Sequence, residues 1–148
     1  MSGSGAAASM ALVAGVLGSV QVAIMGRFGD RIGSFEALAF STVVTALVAA
    51  VALLLTRQSL DGFEAALRSP TWLWLGGLCG AFIVLAVTVS GPRIGTAATI
   101  ALLIAGQLAM GAAIDRFGLF GLERIPLTST RIVGLLLLAI GATLTLRK

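Results

Sequence analysis

The sequence predicts an all-α integral membrane protein with five transmembrane helices. Three observations carry this. Of 148 residues, 58% are hydrophobic and 11% are charged, where a soluble domain carries about 25% charge. The mean hydropathy is +1.08. The charges are also clustered, leaving uncharged stretches at residues 1–26, 37–56, 69–92, 94–114 and 132–146, of 26, 20, 24, 21 and 15 residues. A helix needs roughly 20 apolar residues to cross the hydrocarbon core. Four intervals meet that length. The fifth meets it only when Thr128–Thr130 and a snorkelling Arg131 extend it. The chain has no series of alternating ten-residue strands that could close a barrel, so the spans are helices.

The expected spans are about 5–26, 34–56, 70–90, 94–114 and 129–147, within a single membrane domain of residues 1–148. The N-terminal MSGSG has no Lys or Arg and the apolar stretch after it is long, which argues against a cleaved signal peptide. A short basic loop at 27–33 joins the first two spans. Ser69 and Pro70 are expected to open the third, as N-cap and first helical residue. Trp72 and Trp74 lie where an interfacial aromatic belt belongs. Gly91-Pro92 is read as a tight turn between spans three and four. Residues 57–69 contain Asp61-x-x-Glu64 with Leu60, Phe63 and Leu67 on one side, the pattern of a short helix lying on the membrane surface. Residues 115–128 mix Phe117, Phe120 and Leu122 with glycines and a proline, which reads as an interfacial elbow.

Five spans put the termini on opposite sides. Lys and Arg then count five on each side, so the positive charges that normally set orientation choose none. The functional reading is dual topology: one chain inserts both ways and opposite copies pair as an antiparallel homodimer. Such a pair is an inverted repeat made from two chains, the arrangement used for alternating access.

Helix association in lipid relies on small residues that let backbones approach. Ala11, Gly15 and Ser19 recur on span one, Gly76 and Gly80 on span three, and Gly134 and Gly141 on span five. Span four carries Ala97, Ala101, Ala105, Ala109 and Ala113. These are expected helix-packing faces. Polar groups inside spans need a partner or a wet cavity. Gln21 and Gln107 are therefore candidates for substrate contact or for an interhelical hydrogen bond. Ser41, Thr42, Thr45, Thr88, Thr96 and Thr99 are expected to bond back to their own helices. Glu36, in the first turn of span two, and Asp115, at the end of span four, are the candidates for ion coupling. Glu36 is also explained by the positive helix end, whereas Asp115 lies at a negative end and needs Arg116, Arg124 or Arg131 to offset it.

The chain has no His and only Cys79, so no Cys/His metal site or disulfide framework is expected. There is no Walker loop, dinucleotide fingerprint, HExxH or Ser/His/Asp set, and GGLCG at 76–80 lies inside a span. No enzyme activity, cofactor or nucleic-acid partner is expected.

Three stretches carry a family resemblance: GSVQVAIMGRFGDRIGSFEALAFS at 18–41, TWLWLGGLCGAFIV at 71–84, and GTAATIALLIAGQLAMGAAIDRFGLFG at 95–121, followed by Pro126 and Arg131-Ile132-Val133-Gly134. The chain resembles the YdcZ-like five-helix family of the drug/metabolite transporter (DMT) superfamily. The resemblance implies half of a ten-helix inverted-repeat transporter in a bacterial or archaeal inner membrane. It also implies an antiparallel homodimer, or pairing with an oppositely oriented homologous chain. In the larger relatives the cavity is lined mainly by helices one, three and four of each half, which implies Gln21, Trp74 and Gln107 near the substrate path. The resulting expectation is a secondary transporter subunit moving a small organic metabolite or drug-like molecule. The alternatives are a small dual-topology ion channel and a non-transporting accessory subunit.

Overall fold

The computed structural model describes residues 2–57 and 61–146, and it is helical almost throughout. Helix α1 spans Ser2–Ile32 and α2 spans Ser34–Arg57. The short α3 covers Asp61–Leu67. A 3-10 turn at Thr71–Trp74 leads into α4, Leu75–Ile94. Helix α5 is Thr96–Phe117, a second 3-10 turn is Leu119–Gly121, and α6 is Ser129–Leu144. No strand occurs among the described residues. Four apolar helical stretches, Ser4–Ile32, Ser34–Thr56, Thr71–Ile94 and Thr96–Phe117, are long enough to cross a membrane. The fifth, α6, is a shorter apolar helix of 16 residues.

Two expected connections are not loops. The basic segment 27–33 is helical up to Ile32, and the chain breaks only at Gly33, whose φ is +105°. Nothing from Arg27 to Ile32 stops a helix, and only glycine takes the positive φ of the break at little cost. Likewise, Gly91-Pro92 is not a turn. Helix α4 runs through Pro92 to Ile94 and ends at Gly95, φ +88°. Pro92 lies in the last turn, where the bond to the Thr88 carbonyl that it cannot make interrupts only the end of the helix, and its ring fits against Gly26 of α1, so close that a Cβ there would stand 3.1 Å from Pro92 Cδ.

The start of span three differs as well. Ser69 caps nothing: its hydroxyl donates to the Ala65 carbonyl at 2.9 Å, which ties it to the end of α3. Pro70 is the residue before the 3-10 turn, without side-chain capping. Helix α3 forms as expected, with Phe63 and Leu67 exposed. Glu64 pairs forward with Arg68, not in a capping box. Leu60, Arg147 and Lys148 lie outside the described residues.

The chain divides into two compact units. One comprises residues 1–23 and 93–148, and the other residues 24–92. In the second, the end of α1 presents Met25, Gly26 and Gly29 as a buried face, the i, i+1, i+4 arrangement of one helix side. Gly29 meets Thr88 of α4, and a Cβ on Gly29 would lie 2.5 Å from Thr88 Cγ2. Thr88 is itself 1% exposed and held by a 2.7 Å bond from Oγ1 to the Val84 carbonyl. Phe28 packs edge-on against Phe40 of α2, centroids 5.6 Å apart. In the first unit, α6 packs along α5, and Ala98, Thr99 and Ala142 are buried.

Hydroxyls inside the helices largely bond back as expected. Ser41 and Thr42 donate to Leu38, Thr45 to Ser41, Thr88 to Val84 and Thr99 to Gly95. Each satisfies its hydrogen internally and leaves an outwardly apolar helix.

The Gly29–Thr88 contact makes a direct prediction. Gly29→Ala should lower thermal stability in detergent, because overpacking a rigid contact costs about 1–3 kcal/mol against about 1 kcal/mol of helix propensity gained. Adding Thr88→Ser removes Cγ2 while keeping the hydroxyl, and should restore most of the loss. Gly5→Ala, on the same helix where a Cβ meets nothing within 4 Å, should not destabilise.

Candidate functional site

The positions singled out from the sequence fall into two groups: amides that the chain leaves open and acids that it ties down. Gln21 on α1 and Gln107 on α5 are both exposed, and neither side-chain amide has a hydrogen-bond partner among the described residues. The Gln21–Gln107 bond that the sequence allowed is not formed. An amide facing hydrocarbon without a partner costs several kcal/mol on transfer scales, so each position is one where another chain, water or a solute has to supply the missing bonds.

Trp74 closes the 3-10 turn before α4. Its indole Nε1 donates to the Ala66 carbonyl at 3.3 Å, which pins the turn to α3. The ring is still about half exposed, as an interfacial aromatic with one polar end would be. Cys79 is exposed on α4.

Both acids have a local structural role. Glu36 folds back over Gly33 so closely that a Cβ there would overlap its carboxylate. This puts the negative group at the N-terminus of α2, where the helix dipole favours it. Asp115 lies at the unfavourable end of α5. Of the three arginines that could offset it, Arg131 does so, with Nη1 to Oδ2 at 3.2 Å. Thr128 caps α6 by accepting from the Arg131 N–H, so the same turn that starts α6 aims Arg131 back at α5.

The elbow between α5 and α6 is built around the chain reversal. Gly118 ends α5 in the left-handed region, φ +63°. Phe120 also has positive φ, +59°, and Gly121 follows at +79°. The returning chain is then held by a 2.8 Å backbone bond from the Ile125 N–H to the Asp115 carbonyl. Arg124 is thereby folded across Gly118, and a Cβ on Gly118 would meet Arg124 Cγ at 2.7 Å. An open cleft of about 340 Å³ results, lined by Arg116, Phe117, Arg124, Ile125 and Pro126. The sequence marks this segment as interfacial, but the closing contact is between residues ten apart and is carried by backbone atoms, so no side-chain pattern announces it.

The predicted small-residue faces are open within this chain. A Cβ at Gly15, Gly76, Gly80, Gly134 or Gly141 would meet nothing within 4 Å. Ala11 and Ala109 are exposed, and Ser19, Ala101 and Ala105 are half-buried. The close approaches come instead at Gly26 and Gly29, a three-residue spacing that a search for four-residue repeats passes over. No group of three or more metal-ligating side chains forms among the described residues.

Long apolar helices with their charges gathered near the helix ends define a multi-pass helical membrane protein. A family described as "Putative inner membrane exporter, YdcZ" matches residues 6–144, and the chain belongs to that family. It is 31% identical over 140 residues to "Inner membrane protein YdcZ" of Escherichia coli (strain K12), covering 93% of this chain and 92% of the relative. No solved structure matches the chain. The protein is therefore a multi-pass inner-membrane protein of a transporter family, not a member of an enzyme family.

The elbow gives a second prediction. Gly118→Ala should destabilise the α5–α6 hairpin by about 1–2 kcal/mol, because it places a Cβ in the left-handed region and against the Arg124 stem. Loss of thermal stability in detergent, with helical content retained at low temperature, is the expected result. Gly111→Ala, in open space on the same helix, serves as the control.

Proposed function

We propose that the protein is a secondary transporter subunit that moves a small organic metabolite or drug-like molecule by alternating access, as half of an antiparallel dimer. The observation that carries this reading is how little of itself the chain covers. In each of the four long spans no more than 11% of the most apolar stretch is buried, and Gln21 and Gln107 have no hydrogen-bond partner among the described residues. Lipid accounts for exposed leucines and valines. It does not account for exposed amides or for open glycine faces, which are what a second helical layer requires.

Orientation of that second layer follows from the charge count. With five Lys and Arg on each side, the chain inserts in both directions, and opposite copies combine into an inverted repeat. Gln21 and Gln107 then contact substrate, with Trp74 on the path. Gly15, Gly76, Gly80, Gly134 and Gly141 serve the helix packing between copies. Glu36 and Asp115 are the carboxylates available for ion coupling. Asp115 must exchange its Arg131 partner for a proton or cation to take that part.

Two measurements test the proposal. In a chain with Cys79→Ser and one cysteine added after Lys148, an impermeant thiol reagent should label about half the molecules from outside intact cells. Labelling of all or none would refute dual insertion. In reconstituted vesicles, Gln107→Ala should reduce saturable flux and counterflow by about tenfold, a loss of one hydrogen bond to substrate, with thermal stability unchanged. Equal transport by a folded Gln107→Ala protein would remove this residue from the path.

A further inference from the structure

The cleft in the α5–α6 elbow has a composition that the transport reading does not use. Two of its five lining residues are arginines, Arg116 and Arg124, and the other three are Phe117, Ile125 and Pro126. The acids nearby are Asp115 and Glu123. Asp115 is committed to Arg131, and neither Arg116 nor Arg124 forms a salt bridge among the described residues. With Glu123 counted against them, the two arginines leave the cleft one positive charge in excess. Arg124 is also held in place: the Ile125–Asp115 backbone bond returns the chain to α5, and the Arg124 stem lies across Gly118.

The depth of the cleft follows from α5. The helix has 22 residues, about 33 Å at 1.5 Å per residue, slightly more than the ~30 Å hydrocarbon core. Arg116, in its last turn, therefore lies at headgroup level. The apolar part of the lining is exposed too, with Phe117 at 63% and Ile125 at 43%. Guanidinium groups beside exposed apolar side chains, at the end of a membrane helix, match a phosphodiester with acyl chains attached.

We propose that Arg116 and Arg124 form a binding site for the phosphate of an anionic lipid headgroup. The site is formed within one copy of the chain and is independent of dimer orientation and of transport. A free phosphate ion would satisfy the arginines but would leave Phe117 and Ile125 uncovered, which favours the lipid.

The test is a lipid titration of the purified full-length protein in detergent, read by native mass spectrometry, with phosphatidylglycerol, phosphatidylcholine and inorganic phosphate as separate probes. Phosphatidylglycerol should bind in preference to phosphatidylcholine. Arg116→Gln and Arg124→Gln should each weaken phosphatidylglycerol binding about fivefold, and together about 25-fold, from ~1 kcal/mol per cation at a membrane surface. Glu123→Gln should strengthen it. Arg27→Gln, on α1, should leave it unchanged. Arg124→Gln can disturb the elbow, so Arg116→Gln and the charge-retaining Arg124→Lys, which should keep the preference, hold the test in a folded protein. Equal binding of the two lipids overturns the proposal, as does an Arg116→Gln protein indistinguishable from Arg27→Gln. Inorganic phosphate binding as tightly as phosphatidylglycerol overturns the lipid assignment in favour of a free-anion site.

Discussion

A bilayer offers no water to a peptide group, and the whole chain is arranged around that constraint. Every stretch that enters hydrocarbon has to close its own N–H and C=O bonds, so the chain stays helical wherever it can and concentrates its breaks in few residues. Gly33 and Gly95 each end one helix and release the next within a single residue of positive φ. Where the reversal is longer, between α5 and α6, the backbone is closed by the Ile125–Asp115 bond and a left-handed Gly118. Serine and threonine hydroxyls follow the same rule, bonding to carbonyls three or four residues back on their own helix.

The polar groups that remain divide by how they meet this constraint. Glu36 sits on the N-terminus of its helix, and Asp115 is matched by Arg131. Trp74 uses its single donor to join the 3-10 turn to α3. Gln21 and Gln107 have no such arrangement among the described residues. The contrast separates polar residues that serve the fold from two amides that it leaves exposed.

Much of this was legible in the sequence because charge is expensive in lipid. The intervals between charges locate the helices, and the hydroxyl back-bonds follow from residue type alone. The errors have a common physical origin. Gly91-Pro92 and the basic 27–33 segment carry residues that punctuate soluble chains, but in a membrane helix a proline near the end is tolerated and charges can ride on the final helical turn. The break falls instead on Gly33 and Gly95, which resemble any other glycine until their φ is known. Gly26 and Gly29 were equally silent, because what distinguishes them is the presence of Pro92 and Thr88 across a helix contact, some 60 residues further along the chain. Of the candidate positions, the sequence shows only polarity within a span. The partner of Asp115 and the elbow cleft were not legible there, since they depend on the turn that starts α6.

Helix α6 brings the surrounding lipid into the design. Its 16 residues measure about 24 Å, some 6 Å less than a typical hydrocarbon core of about 30 Å. For α6 to cross, the bilayer beside it has to thin, or polar groups at its ends have to reach outward, at a cost of fractions of a kcal/mol per Å of mismatch. Arg131, at the start of α6 and paired with Asp115 of α5, marks the polar limit of the helix on that side. For a crossing α6, acyl-chain length becomes a variable of the energetics: a membrane of shorter chains relieves the mismatch there, while α5, with its 22 residues, is already matched to one of ordinary thickness.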